Sequence, residues 1–132
     1  LDVQSWSVLA LGVEVGRPAL KWALEHCSVR GGTFDYRCRP AEGTWWEGTA
    51  QMALALSMAG DRARSERILD SVQDAQVLLG SARGAIPAAI RQLPTGFGWC
   101  YQPDPHIGAT AWFVLAALGR NPYDLAVAPQ RR

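Results

Sequence analysis

The feature that most constrains this chain is an alternation between two kinds of apolar periodicity. Residues 2–13 (DVQSWSVLALGV), 44–60 (TWWEGTAQMALALSMAG) and 106–119 (HIGATAWFVLAALG) are apolar almost all round beyond their first turn, which is the pattern of a helix buried on every side. Between them, residues 17–29 carry Leu20, Ala23, Leu24 and Cys27 on one stripe, with Lys21 and Glu25 off it. Residues 61–79 place Ile68, Val72, Ala75 and Leu79 on one stripe among Arg62, Arg64, Glu66, Arg67, Asp70 and Asp74. These two segments read as one-sided surface helices. The order buried, surface, buried, surface, buried predicts an all-α chain in which inner and outer helices alternate.

The buried segments also resemble one another. Gln4–Leu11, Thr49–Leu56 and Thr110–Ala117 align without gaps at offsets of 45 and 61 residues. That spacing suits a helical hairpin plus a loop of variable length, and repeats of this size stack neighbour on neighbour. An inner row of helices with an outer row around it is the simplest arrangement. The start signals of the inner helices agree on a common end: Asp2 as a cap for the first, Thr44 with Glu47 as a capping box for the second, Asp104 followed by Pro105 for the third. The loops at that end are 31–43 and 80–104. The second, at 25 residues, is longer than most helix connections, and long ordered loops tend to be functional. This face is the candidate site.

Composition narrows the function classes. With 13 basic against 12 acidic residues the net charge is +1, which gives no electrostatic footprint for nucleic acid or an anionic membrane. The longest apolar stretches, such as Met52–Leu56, fall far short of the roughly 20 residues that span a bilayer, so a soluble chain is expected. Cys27, Cys38 and Cys100 are odd in number and form no C-x-x-C pair. They are expected to be buried or partly buried free thiols, with a Cys27–Cys38 bridge left open for an exported protein. No G-x-G-x-x-G, Walker, H-E-x-x-H or G-x-S-x-G string occurs, so no cofactor is expected, and a metal would have to be held by scattered acids.

The strings DVQSW, WWEGTAQMALAL, GFGWCYQPDPHIGATAWF and LAALGRNPY together resemble the C-terminal part of bacterial six-hairpin α/α toroid proteins of the glycosidase-like superfamily. The resemblance spans nearly the whole chain. It implies an incomplete toroid of about two and a half hairpins, with residues 1–132 forming the C-terminal part of one domain (hairpins 2–29 and 44–79, final inner helix 106–119). A closed ring of six hairpins would need roughly 300 residues or more. Leu1 in place of Met fits the expectation of a longer parent. On that expectation, the exposed flanks of the inner helices would meet the remainder of the parent chain, or associate with one another. The resemblance further implies an oligosaccharide or polysaccharide in a cleft where the inner helices begin, and a periplasmic or extracellular location.

Glycoside hydrolysis needs two carboxyl groups, one protonated and one ionised. Asp2, Asp35, Glu42, Glu47 and Asp104 lie on the expected site face. Glu47, beside Trp45 and Trp46, stands at a helix N-terminus that favours its anion, which suits a base or hydroxyl acceptor better than a proton donor. A capping role for Glu47 is the competing explanation. Asp2, followed by Gln4, is open to both roles as well. Asp35, between Phe34 and Tyr36, is the loop acid least explained by capping, so ligand contact is expected of it. His106 is the one histidine expected on this face, for proton transfer or hydroxyl binding, whereas His26 falls near the end of an outer helix. Phe97, Trp99 and Tyr101 alternate, so an extended backbone would align three rings for pyranose faces, and Trp45 and Trp46, near the same face, are expected to meet sugar as well. Gln4 and Gln51 are the polar residues of the repeat expected to meet substrate. The leading expectation is a glycoside hydrolase with catalytic Glu47, Asp2 and His106. The alternatives are a sugar epimerase or polysaccharide lyase, and a non-catalytic glycan-binding or scaffold domain.

Overall fold

The computed structural model describes residues 1–29, 31–78 and 80–124; Leu79, placed above on the second outer stripe, lies outside them. The described residues form five helices, α1 (Asp2–Leu11), α2 (Val13–His26), α3 (Trp46–Met58), α4 (Arg62–Asp74) and α5 (Ile107–Ala117). One short antiparallel pair joins β1 (Leu93–Pro94) to β2 (Cys100–Tyr101). The protein is therefore mostly helical, as the periodicity predicts. Among the described residues no helix is long and apolar enough to cross a membrane.

α3 packs against α1, α4 and α5, and α1 packs against α2, while α1 and α5 do not meet. The middle inner helix is thus enclosed: from Trp46 to Leu56 every residue except Glu47 is buried. Alanines at 50, 53 and 55 let its neighbours approach. α2 and α4 bury single stripes, through Gly16, Leu20 and Ala23 and through Ser65, Ile68 and Val72. At Gly16 an added Cβ would sit 2.5 Å from the Val8 backbone, so α1 and α2 touch where only glycine fits. Burial on every side fails for α1 and α5. Val3, Leu11, Ile107, Val114 and Leu118 are exposed, because a helix at the end of a row of three lacks one neighbour.

The helix heads are built differently from the capping expectation. α2 begins at Val13, four residues early, with only Gly12 (φ +88°) between it and α1. Leu1, not Asp2, is the N-cap of α1; Asp2 lies in the first turn and its Oδ1 accepts the Val3 N–H at 2.9 Å. The capping box at Thr44 does not form. Trp45 is the N-cap of α3 without a side-chain cap bond, and the Thr44 hydroxyl pairs with that of Thr33 at 2.7 Å. His106, not Asp104, caps α5: its Nδ1 accepts the Ala109 N–H at 3.2 Å.

Backbone contacts from the loops replace the missing caps. In the long loop, segment 86–89 lies between the heads of α3 and α5. Trp46 N–H donates to Ala88 at 3.0 Å, Ala88 N–H to Asp104 and His106 N–H to Ile86, both at 2.9 Å. Trp45 pairs with Ala89 and Pro87 with Pro105 in strand-like bridges. Loop 31–43 is tied to the end of α2 by a Cys27–Cys38 disulfide. That corrects the free-thiol expectation for two of the three cysteines, and Cys100 alone is free. Sequence spacing could not decide the pairing, because it depends on the loop folding back onto α2.

Candidate functional site

Glu47 is the one residue in the first three turns of α3 that is not buried, and it opens into a cleft of about 400 Å³. The cleft is lined by Glu47, Ala88, residues 99–102, Asp104, Pro105 and His106. The Glu47 side chain is only 19% exposed, and its Oε2 lies 3.6 Å from His106 Nδ1. Its Oε1 faces Gln51 Nε2 at 3.5 Å, a long contact that leaves most of its hydrogen-bonding capacity unused. Burial pushes the Glu47 carboxyl above its ordinary range; His106 opposes that shift and Asp2 adds to it. The helix N-terminus favours an anion here, but desolvation outweighs it.

Space for this carboxyl is made by α5. A Cβ on Gly108 would come within 2.7 Å of Glu47 Oε2 and 3.0 Å of His106 Cε1. In the repeat alignment Gly108 occupies the register of Glu47 and Asp2, so one of three equivalent helix heads lacks a side chain and another fills the space. The His106 cap bond fixes the imidazole as well. The Ala109 N–H donated to Nδ1 leaves Nε2 as the ring nitrogen without a backbone partner. Sequence reading gave His106 a role in chemistry but missed its role as cap, and missed Gly108 entirely. The signal for Gly108 was its position in the repeat.

The aromatic wall comes from three segments. Tyr101 stacks on Trp45 at 5.6 Å between centroids, meets Tyr36 edge-on at 5.6 Å and Trp99 edge-on at 4.8 Å, and lies 6.1 Å from the His106 ring. Burial first, then the charge of Glu47, raises the Tyr101 phenol well above its ordinary range, so it remains an O–H donor. Trp99 is half exposed and offers a ring to ligand. The predicted row of three does not form. Phe97 stands at the hairpin tip between Gly96 and Gly98, both at positive φ, and is 75% exposed away from the ring cluster. The backbone that would have aligned it reverses there instead of extending.

Four other expected ligand contacts are buried. Asp35 is fully enclosed, and its carboxylate accepts backbone N–H bonds from Arg37 at 2.8 Å, Glu42 at 2.6 Å and Gly43 at 2.7 Å. It organises loop 31–43 and has no oxygen free for substrate. Trp46 is buried and lines a concavity with Ser71, Asp74 and Pro87, apart from Glu47. Trp45 is a floor beneath Tyr101 rather than a surface ring. Gln51 is fully buried; its Oε1 accepts the Ser5 hydroxyl at 3.2 Å while its Nε2 faces Glu47. Gln51 therefore positions Glu47. Gln4 keeps a buried Oε1 without a protein partner. His26 stacks on Trp22 at 4.6 Å in the last turn of α2, as its place in an outer helix predicts.

Larger concavities occur elsewhere. One of about 520 Å³ lies between α2 and α4, and an open apolar one of about 650 Å³ follows the free face of α5. Neither brings together an acid, an imidazole and aromatic rings. Among the described residues no group of three His, Cys, Asp or Glu side chains is placed to hold a metal ion. Fold and site together define a mostly helical protein with a carboxyl–imidazole pair in an aromatic cleft. Comparison with known families, characterised proteins and solved structures finds no match to this chain.

Proposed function

We propose that this chain is an arc of an α/α toroid that hydrolyses glycosidic bonds, with Glu47 as the proton donor. The observation that carries the reading is a desolvated carboxyl whose charge is disfavoured, open to a cleft walled by Trp99 and Tyr101. Such a group gives its proton to the glycosidic oxygen as the bond from that oxygen to the anomeric carbon breaks. Asp2, on the neighbouring helix head and close enough for its charge to act on Glu47 and Tyr101, is the second carboxylate. It activates water or bonds to the anomeric carbon. Trp99 supplies a face for pyranose C–H groups, and Tyr101 O–H and His106 Nε2–H donate to hydroxyls. The Cys27–Cys38 disulfide accords with a periplasmic or extracellular location.

Titration of the full-length protein with oligosaccharides, followed by product analysis, tests this. New reducing ends that disappear with Glu47→Gln support it, while binding without any product leaves a glycan-binding module. The approach of His106 to Glu47 at 3.6 Å favours one second reading, a sugar epimerase or lyase that moves a proton at carbon. In that case His106→Ala is more damaging than Asp2→Asn, and the product is an epimer or an unsaturated sugar.

A further inference from the structure

We infer that the cleft selects sugars bearing an amino group over sugars bearing a carboxylate, with neutral sugars between them. The inference rests on the glycan reading of this site. Its basis is the sign of every charge that the cleft presents. Glu47 and Asp104 line it and the field of Asp2 reaches it, yet no lysine or arginine is among its lining residues. Arg37, next in sequence to the Tyr36 ring that packs on Tyr101, does not supply the missing cation. It lies against Gly96 under the hairpin, and its guanidinium is paired with Glu42 at 3.1 Å. The His106 Nδ1 is occupied by the Ala109 N–H, which leaves Nε2 as the remaining ring nitrogen.

A uronate entering this cleft would bring its negative charge to a site lined by Asp104 and reached by the field of Asp2, without a lysine or arginine for its oxygens. Like charges repel more strongly where water is displaced. Glu47 already responds this way to Asp2, being held toward its protonated form by burial and by that neighbouring charge. An ammonium group meets the opposite situation: the Asp104 carboxylate and the carbonyl oxygen of the Glu47 carboxyl group to accept its hydrogens, and the rings of Trp99 and Tyr101, at 4.8 Å from each other, to attract a cation.

The test compares glucosamine, glucose and galacturonate oligosaccharides of matched length against the full-length protein. Two readouts are used: tryptophan fluorescence, and protection of the half-buried Cys100, which lines the cleft, from iodoacetamide. The expected result is that the glucosamine series binds at least about tenfold more tightly than the galacturonate series, about 1.4 kcal/mol. Asp104→Asn should shrink that ratio to within about threefold, while glucose oligosaccharides still protect Cys100. Equal or tighter galacturonate binding, or a preference unchanged in Asp104→Asn, overturns the inference and leaves the glycan reading standing. If no series protects Cys100, the glycan reading falls and takes the inference with it.

Discussion

Asp35 and Glu47 are acids of adjacent elements, both largely withdrawn from water, and they have opposite uses. Asp35 is met by three backbone N–H groups from its own loop. Glu47 is met by one long contact from Gln51, by an imidazole nitrogen engaged elsewhere, and by the empty position at Gly108. A buried carboxylate whose hydrogen bonds are complete organises structure, and one whose bonds are incomplete is available for chemistry. Burial alone does not separate the two. The census of donors around each oxygen does.

That contrast can be broken by exchange of the two side chains for their amides. Glu47→Gln should lower turnover by about 10³-fold, with unfolding free energy in urea changed by less than about 1 kcal/mol. A loss of stability in place of turnover would make Glu47 a second Asp35. Asp35→Asn should do the reverse. One amide NH₂ must face backbone donors, so a loss of about 3 kcal/mol is expected in urea unfolding, with binding affinity retained by the folded fraction.

A smaller effect is expected at the position that makes room for Glu47. Gly108→Ala should reduce turnover about tenfold and stability by about 1 kcal/mol, because the new methyl displaces a movable side chain and not backbone. If Gly108→Ala leaves the rate intact, Glu47 was not held where the cleft needs it.

The proton linkage of Glu47 gives a further distinction. Its folded-state value lies above the unfolded one near 4.5, so the native protein binds more protons between those two values. Stability from this group is then complete below about 4.5 and is lost as pH rises through the raised folded value. Chemical denaturation across pH should therefore show Glu47→Gln gaining on the native protein as pH rises. A difference that is flat with pH would mean that the carboxyl is not desolvated. The smallest effects fall on the hairpin: Trp99→Ala should weaken oligosaccharide binding by about 1 kcal/mol, and Phe97→Ala by less than about 0.5 kcal/mol.

The contrast between the two acids also shows what the sequence could disclose. The alternation of helix types was legible because periodicity is local, and α3 and the stripes of α2 and α4 follow it closely. Glu47 and His106 were legible as residues of one face because repeated helix heads imply a shared end. Asp35 was misread since its partners, Glu42 and Gly43, reach it only after the loop folds back. Thr44 was misread for a related reason: its hydroxyl goes to Thr33, a contact that no capping pattern encodes. Helix heads were the least legible part, because segment 86–89 supplies what side-chain caps would have supplied.

That seam has a consequence for how the protein can vary. Residues 86–89 bond to the start of α3 through Trp46 and to the start of α5 through Asp104 and His106, so an inserted or deleted residue there would shift two helix heads out of register together and move Glu47 relative to His106. The hairpin tip at Gly96–Gly98 carries no such double bond to the helices and can lengthen or shorten freely. Length changes at the tip beside Trp99 should therefore leave the distance between the acid and the imidazole unchanged, whereas an insertion within the four residues that bond to both helix heads should alter it.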